Sequence, residues 1–210
     1  MPVIPGTDLT VSDLCLGGNV FGWTADEATS FALLDRFVDA VPSTLQPFVD
    51  TAEMYGKGVS EQILGRWMAE RGLRDRMVVA TKASPGEKEH PLSAGEVRDA
   101  AERSLRNLQV DTIDLYYAHY DDATTPLEET LTAFDELVRA GKVRYVAASN
   151  YSAQRLTEAL RTSEQLGLAR YVALQPHYNL MERPVYEDEL QAVVAEHQLG
   201  SMPYFGLAKG

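Results

Sequence analysis

A (β/α)8 barrel of the TIM type, with about seven of its eight strands present in the chain, is the fold class this sequence predicts. Three observations lead there. Seven short apolar runs alternate with amphipathic segments along nearly the whole chain, the pattern of parallel βα units. The runs are nearly continuous in Val, Ile, Leu, Ala and Tyr, as suits strands covered on both faces of a parallel sheet. The third observation concerns the competing architecture. An open doubly wound sheet usually carries G-x-G-x-x-G after its first strand. Here that stretch reads Gly17-Gly18-Asn19-Val20-Phe21-Gly22, and no Walker A phosphate loop follows elsewhere.

Taken in order, the strand candidates are residues 12–17, 48–51, 77–82, 112–119, 143–149, 171–176 and 200–205. The helices between them carry start signals. Thr24-Ala25-Asp26-Glu27, Ser93-Ala94-Gly95-Glu96 and Thr125-Pro126-Leu127-Glu128 each fit a capping box, in which the fourth residue returns a hydrogen bond to the first. Pro126 suits a first helical position, where its missing N–H costs nothing. Ser60-Glu61 and Ser152 open two further helices, and Gly72, Gly141 and Gly167 fall where a left-handed C-cap is needed. After the last strand candidate only Gly206-Leu207-Ala208-Lys209-Gly210 remain. A closed barrel of this kind takes roughly 250 residues, so the expectation is one domain over residues 1–210 that lacks its last βα unit.

The chain has 210 residues, 45% hydrophobic and 24% charged, ordinary values for a globular protein with a sizeable core. No apolar stretch reaches about 18 residues. The start, Met1-Pro2-Val3-Ile4-Pro5-Gly6-Thr7-Asp8, lacks the basic flank and apolar centre of a signal peptide. A single cysteine, Cys15, sits between Leu14 and Leu16 and reads as a packed residue rather than a nucleophile. These features predict a cytoplasmic protein without a membrane partner. Thirty-one acidic against nineteen basic residues leave a net charge of −12, which repels nucleic-acid backbones. The acidic pairs and triplets Asp121-Asp122 and Glu187-Asp188-Glu189 read as solvated surface, and no metal site is expected.

A barrel places its chemistry at the C-terminal ends of its strands. The polar residues expected there are Asp50, Thr81-Lys82, His119, Ser149-Asn150, Gln175 and Tyr204, with Tyr55 on the loop after Asp50. Burial disfavours a charged lysine, and Asp50 from the neighbouring strand could compensate Lys82. A structural ion pair would account for those two alone. With a phenol nearby the pair gains a use: a cation within about 4–6 Å favours phenolate and lowers the tyrosine pKa from near 10. Tyr55 could then act as a proton donor to a carbonyl, with His119 polarising the same oxygen. None of the four would bond covalently to substrate, which suits reduction by a hydride from outside the protein.

The segments Asp50-Thr51-Ala52-Glu53-Met54-Tyr55-Gly56, Ala80-Thr81-Lys82 and Leu115-Tyr116-Tyr117-Ala118-His119 resemble the catalytic tetrad region of the aldo/keto reductase family in order and spacing. Gly141-Lys142-Val143-Arg144, Ala148-Ser149-Asn150-Tyr151 and Gln175-Pro176-His177-Tyr178-Asn179-Leu180 match further signatures of that family. The resemblance runs from near the N-terminus to the last residue. It implies Tyr55 as general acid, Asp50 and Lys82 as its support, and His119 as the group that orients a small-molecule carbonyl substrate. It implies NADPH as cofactor, with NADH as the alternative. Ser149, Asn150 and Gln175 would hold the nicotinamide carboxamide, and Tyr204 would stack on its ring. Phe205, Gly206 and Leu207 would lie along the pyrophosphate. Gly18, Asn19 and Val20 would form the floor near the cofactor, with Phe21 and Trp23 as walls of the substrate pocket or as seals of the barrel rim. His177, Tyr178 and Asn179 read as loop-organising residues.

Two departures from the family pattern stand out. Positions 41–47, Val41-Pro42-Ser43-Thr44-Leu45-Gln46-Pro47, replace a short glycine turn, on the face opposite the site. Family members also continue past residue 210 into a segment that holds the adenosine half of the cofactor, and an opening with two exposed strand edges is expected in its absence. Three functions therefore stay in view: a carbonyl reductase, a catalytically silent barrel used for binding, and a Schiff-base aldolase on Lys82. The last would want a lysine without a carboxylate partner and a phosphate site, and neither is evident. The residues do not specify an oligomeric state.

Overall fold

The computed structural model describes residues 3–83 and 90–208. Met1, Pro2, Lys209 and Gly210, used above at the two ends of the sequence, lie outside the described residues. Seven strands, β1 (Val11–Gly17), β2 (Gln46–Asp50), β3 (Val78–Ala83), β4 (Ile113–Ala118), β5 (Val143–Ser149), β6 (Tyr171–Gln175) and β7 (Gly200–Ser201), pair in parallel and in chain order. A doubly wound sheet reverses its order at a switch point. This one never reverses, so it curls in one sense as a barrel does. Among the described residues β1 and β7 do not pair with each other, and the result is a partial barrel with an opening between them.

Among the described residues six α-helices, α1 (Glu27–Ala40), α2 (Val59–Arg71), α3 (Ala94–Leu108), α4 (Leu127–Arg139), α5 (Ala153–Leu166) and α6 (Gln191–Glu196), alternate with the strands, α6 following a π-type segment, Val185–Leu190. Side chains on a strand point to opposite faces in turn, and the core divides accordingly. Val79, Tyr116, Val146 and Leu174 belong to the layer that also holds Leu34, Trp67, Phe134 and Leu160 from the helices. Phe48, Val78, Ala80, Leu115, Tyr117, Ala147 and Ala173 fill the barrel interior. A hairpin before β1, bridged from Val3 to Thr10, inserts Ile4 and Leu9 into that interior and so covers its N-terminal end.

Several local expectations change. Asp26 rather than Thr24 caps α1, accepting the Thr29 amide at 2.8 Å, because a carboxylate at the cap meets both the free amide and the positive end of the helix dipole. Thr125 does not cap α4 either. Its hydroxyl donates to the Asp122 carboxylate at 2.6 Å, and Pro126 occupies the cap rather than the first helical position. Asp122 itself is buried, not solvated: it also accepts the Leu92 and Thr124 amides. Burial alone would raise its pKa, but these hydrogen bonds outweigh burial and bring it down to about 2. Ser93 sits at the cap of α3 without a side-chain bond, whereas Ser152 caps α5 through the Arg155 amide at 3.2 Å. Gly72, Gly141 and Gly167 all have positive φ at helix ends, the left-handed conformation that glycine adopts without a Cβ penalty.

The last strand is shorter than the expected 200–205. Pro203 has no N–H to give to a ladder, and the chain instead reaches β6 through single bonds, Met202 N to Leu174 O and Tyr204 N to Pro176 O. Among the described residues no helix is long and apolar enough to cross a membrane.

Candidate active site

Strand alternation places the site before any side-chain contact is considered. The residues two positions beyond the interior set Phe48, Ala80, Tyr117, Ala147 and Ala173 are Asp50, Lys82, His119, Ser149 and Gln175. All five therefore continue the inward face at the C-terminal ends of β2 to β6. The register staggers them along the barrel: Asp50 lies opposite Ala80 and Lys82 opposite Tyr117, each two residues short of the next inward site residue, whereas Ser149 and Gln175 lie directly opposite one another.

Lys82 is wholly buried. Its Nζ donates to Asp50 Oδ2 at 2.6 Å, to the Thr51 carbonyl at 2.7 Å and to Tyr55 Oη at 3.5 Å. Burial alone would lower its pKa; the charge of Asp50, aided by Tyr55, overrides that and holds Lys82 above its ordinary value. The ammonium is thus a fixed cation. Tyr55 departs from expectation. Burial pushes its phenol above the ordinary value, and the opposing pull of Lys82 reduces that rise without reversing it. The phenol is therefore protonated at neutral pH, an acid with its proton in place.

His119 packs edge-on to Tyr55, ring centroids 6.2 Å apart, and stacks on Tyr120 at 4.7 Å. Burial, with Lys82 adding to it, lowers the His119 pKa to about 3, so the imidazole is neutral across the physiological range. Beside it, Asn150 donates from Nδ2 to the His119 carbonyl at 2.9 Å and to Ser149 Oγ at 3.0 Å. Asn150 has a φ of 56°, and Tyr204 donates its hydroxyl to Asn150 Oδ1 at 2.8 Å. Gln175 donates to Asp50 Oδ1 at 3.2 Å, and its Oε1 has no protein partner among the described residues.

A cavity of about 930 Å³ opens over these groups and continues down the opening beside β1 and β7. Asp50, Tyr55, His119, Ser149, Asn150, Gln175 and Tyr204 to Leu207 all line it. Cys15 lines it too, half-buried, with its thiol pushed well above the ordinary range chiefly by burial, the opposite of an activated nucleophile. A nicotinamide needs an aromatic face and, for its carboxamide, both acceptors and donors. Gln175 Oε1, Ser149, Asn150 and the half-buried Tyr204 ring fit that end of the cofactor.

Other candidates are placed elsewhere. Of Gly18, Asn19 and Val20 only Asn19 lines the cavity; Gly18 donates its amide to the Asp50 carbonyl, and Val20 packs on the outer apolar layer. Phe21 is no pocket wall: it lies outside the cavity lining and is buried in that same outer layer, at 1% exposure, because the turn after β1 sets its ring among the apolar side chains there rather than at the mouth. Trp23 is 76% exposed and lies outside the cavity lining. His177 stacks on Tyr204 at 5.0 Å, and Asn179 donates to the Phe205 carbonyl, so both support the last loop. Met54 and Tyr120 line the cavity without having been singled out in the sequence; their adjacency to Tyr55 and His119 was the available signal. Glu53, likewise, pairs with Arg103 of α3 beside the same loop. Among the described residues no group of three or more His, Cys, Asp or Glu side chains could hold a metal ion.

Comparison with known proteins bears on this geometry. Residues 13–210 match the aldo/keto reductase family. The chain is 37% identical to the uncharacterized oxidoreductase YrpG of Bacillus subtilis, over 92% of this chain and 61% of that protein. It is 34% identical to norsolorinic acid reductase B of Aspergillus parasiticus, over 98% of this chain and 57% of that protein. It is also 35% identical to a probable voltage-gated potassium channel subunit beta of Oryza sativa subsp. japonica, over 96% and 62%. The chain thus spans about three-fifths of the length of these relatives. The matched residues include every strand end that lines the cavity, and the chain belongs to the aldo/keto reductase family.

Proposed function

We propose that this chain carries the proton-handling half of a cytoplasmic NAD(P)H-dependent oxidoreductase that reduces aldehydes or ketones to alcohols. One observation carries the reading: a buried ammonium, Lys82, is shared between Asp50 and the hydroxyl of a protonated Tyr55 on the wall of a large cavity. A bound nicotinamide, seated by Ser149, Asn150, Gln175 and Tyr204, would supply hydride to the carbonyl carbon. Tyr55 gives its proton to the carbonyl oxygen, and general acid catalysis of this type contributes about 10²–10⁴-fold. Lys82 opposes the cost of leaving a phenolate behind, and Asp50 keeps Lys82 charged and in place. Neutral His119 donates a hydrogen bond to the same oxygen, which stabilises charge as it develops there. Water from the open mouth restores the Tyr55 proton.

NADPH is the preferred cofactor in this reading and NADH the alternative. The experiment is fluorescence titration with each nucleotide, followed by turnover of a reactive aldehyde such as 4-nitrobenzaldehyde. Tyr55→Phe is expected to bind nucleotide like the parent and to lose about 10²–10⁴-fold in turnover; turnover that survives the substitution rules Tyr55 out as the acid. A second reading, a barrel that binds without reducing, draws on the relative named as a potassium channel subunit. Nucleotide binding with no turnover of any aldehyde favours that reading. A borohydride-trapped adduct on Lys82 would point instead to aldolase chemistry.

A further inference from the structure

The two charged residues at the base of the site, Asp50 and Lys82, are each followed or preceded in sequence by a threonine whose side chain faces outward, away from the cavity. Thr51 and Thr81 are both fully buried against α2. Consecutive residues in the first turn of that helix take one each. The Ser60 hydroxyl lies 2.7 Å from Thr51 Oγ1, and Thr81 donates to Glu61 Oε1 at 2.6 Å. Ser60 also donates to the Gly18 carbonyl at 2.7 Å. A serine has one hydroxyl proton, so Thr51 is the donor in its bond to Ser60. Three strand ends, those of β1, β2 and β3, are thereby tied to one helical turn.

The packing around this turn is too close to be incidental. A Cβ on Gly18 would stand 2.9 Å from Ser60 Oγ, and a Cβ on Gly65 would stand 2.5 Å from the Asn107 carbonyl of α3. The absence of side chains at Gly18 and Gly65 is what allows α2 to approach β1 on one side and α3 on the other. Asn107 then donates to Glu61 Oε2 at 2.9 Å, which holds Glu61 from behind.

Tyr55 lies midway along the loop between Thr51 and Ser60. That loop is held in an unusual conformation, with Gly56 and Lys57 both left-handed at φ of 60° and 56°, a state that costs a non-glycine residue free energy unless its surroundings enforce it. The Thr51–Ser60 bond closes the neck of the loop. The Thr51 carbonyl, on the same residue, accepts from Lys82 Nζ. One threonine therefore fixes both the root of the loop that bears the phenol and the ammonium that faces it.

We propose that Ser60, outside the cavity lining, is a positioning residue for Tyr55: by closing the Thr51–Ser60 neck it sets the separation between the Tyr55 hydroxyl and the Lys82 ammonium. The inference rests on the proposed role of Tyr55 only for its consequence in turnover. The geometry itself can be tested without any reaction.

Two variants break the same bond from opposite sides with little change of volume, Ser60→Ala and Thr51→Val. The direct readout is the ultraviolet titration of Tyr55, obtained by subtracting the matching Tyr55→Phe protein at each pH, since the chain has ten tyrosines. A phenol released from its buried place beside Lys82, Asp50, His119 and Tyr120 approaches the ordinary tyrosine value near 10. Both variants are therefore expected to titrate lower than the parent at Tyr55, with some loss of melting temperature, since each leaves a buried partner of the broken bond unsatisfied. Where the parent reduces 4-nitrobenzaldehyde, kcat should fall about 10–100-fold with KM little changed, as for a displaced reacting group. A Tyr55 titration that stays in place while the variants melt earlier overturns the proposal in favour of a merely structural latch. So does loss of folding in both variants. If the titration moves but no parent or variant shows turnover, the positioning role stands and the reductase reading fails.

Discussion

The middle of the sheet and its two edges are built differently. In β3 and β4 all twelve residues are buried, six in each strand. β1 buries only its first two, leaving Leu14 67% exposed, and β7 is two residues long. The site straddles this divide. Lys82 stands on β3 and His119 directly follows β4, with Asp50 beside them at the end of β2, whereas Tyr204 to Leu207 follow the frayed β7. The proposed proton-handling groups are therefore rooted in the most cohesive part of the molecule, whereas the proposed cofactor grip is divided between Ser149 and Gln175 at the ends of β5 and β6 and Tyr204 to Leu207 beyond the least cohesive strand. Substitutions at the centre should disturb stability and chemistry together. At the edge they should disturb binding and leave the fold almost unchanged.

The largest expected effect is at the centre. Lys82→Met leaves Asp50 buried and without its cation, a loss of about 3–5 kcal/mol by analogy with other broken buried pairs. Urea unfolding measures it, and adding Asp50→Asn should recover part of the loss because the stranded charge is gone. A cost below about 1 kcal/mol for the single variant would break the comparison.

Next comes a pH effect from the same region. His119 has a folded-state pKa of about 3 against about 6.5 when unfolded. Above pH 6.5 both states hold it neutral and it contributes no slope. Between pH 6.5 and 3 the unfolded state binds the extra proton, so stability falls as pH falls through that window. His119→Gln should flatten this part of the stability–pH curve relative to the parent, and identical slopes would remove His119 as the cause.

At the edge, Tyr204→Ala removes the ring stacked on His177 and the hydroxyl bonded to Asn150. Nucleotide affinity should fall about tenfold, equivalent to about 1.4 kcal/mol. The melting temperature should move less than it does for Lys82→Met. The smallest change is expected for Leu14→Lys on β1, within about 0.5 kcal/mol of the parent. Amide exchange sharpens the same contrast: the amides of β3 to β5 should outlast those of residues 12–15 and of β7.

How much of this was legible in the sequence depends on the range of the interactions involved. Long apolar runs such as 143–149 marked their strand directly, since burial on both faces leaves a local pattern. The end of the last run did not, because Pro203 and the bridge from His177 to Tyr204 decide where regular pairing stops. Caps were read as local motifs. Thr125 does not follow its motif, and Asp122 is not the solvated residue its acidic pair suggests, because the Asp122 carboxylate recruits both the threonine hydroxyl and the distant Leu92 amide. Among site residues, Asp50, Lys82, Ser149 and Gln175 could be placed inside by strand parity alone. Phe21 could not: it lies in a turn, where no period fixes the direction of a side chain.

By itself the sequence determined the alternation of strands and helices, the inward parity of the polar residues at the strand ends, and the motifs that relate the chain to its family. Those are local properties, set by side-chain period and order along the chain. Only the tertiary structure decided that burial outweighs Lys82 at the Tyr55 phenol, that Ser60 and Glu61 grip the threonines behind the site, and that the cavity continues into the opening beside β1. Each of these depends on desolvation or contact between segments distant in sequence, where free energy is set by what surrounds a group rather than by its neighbours along the chain.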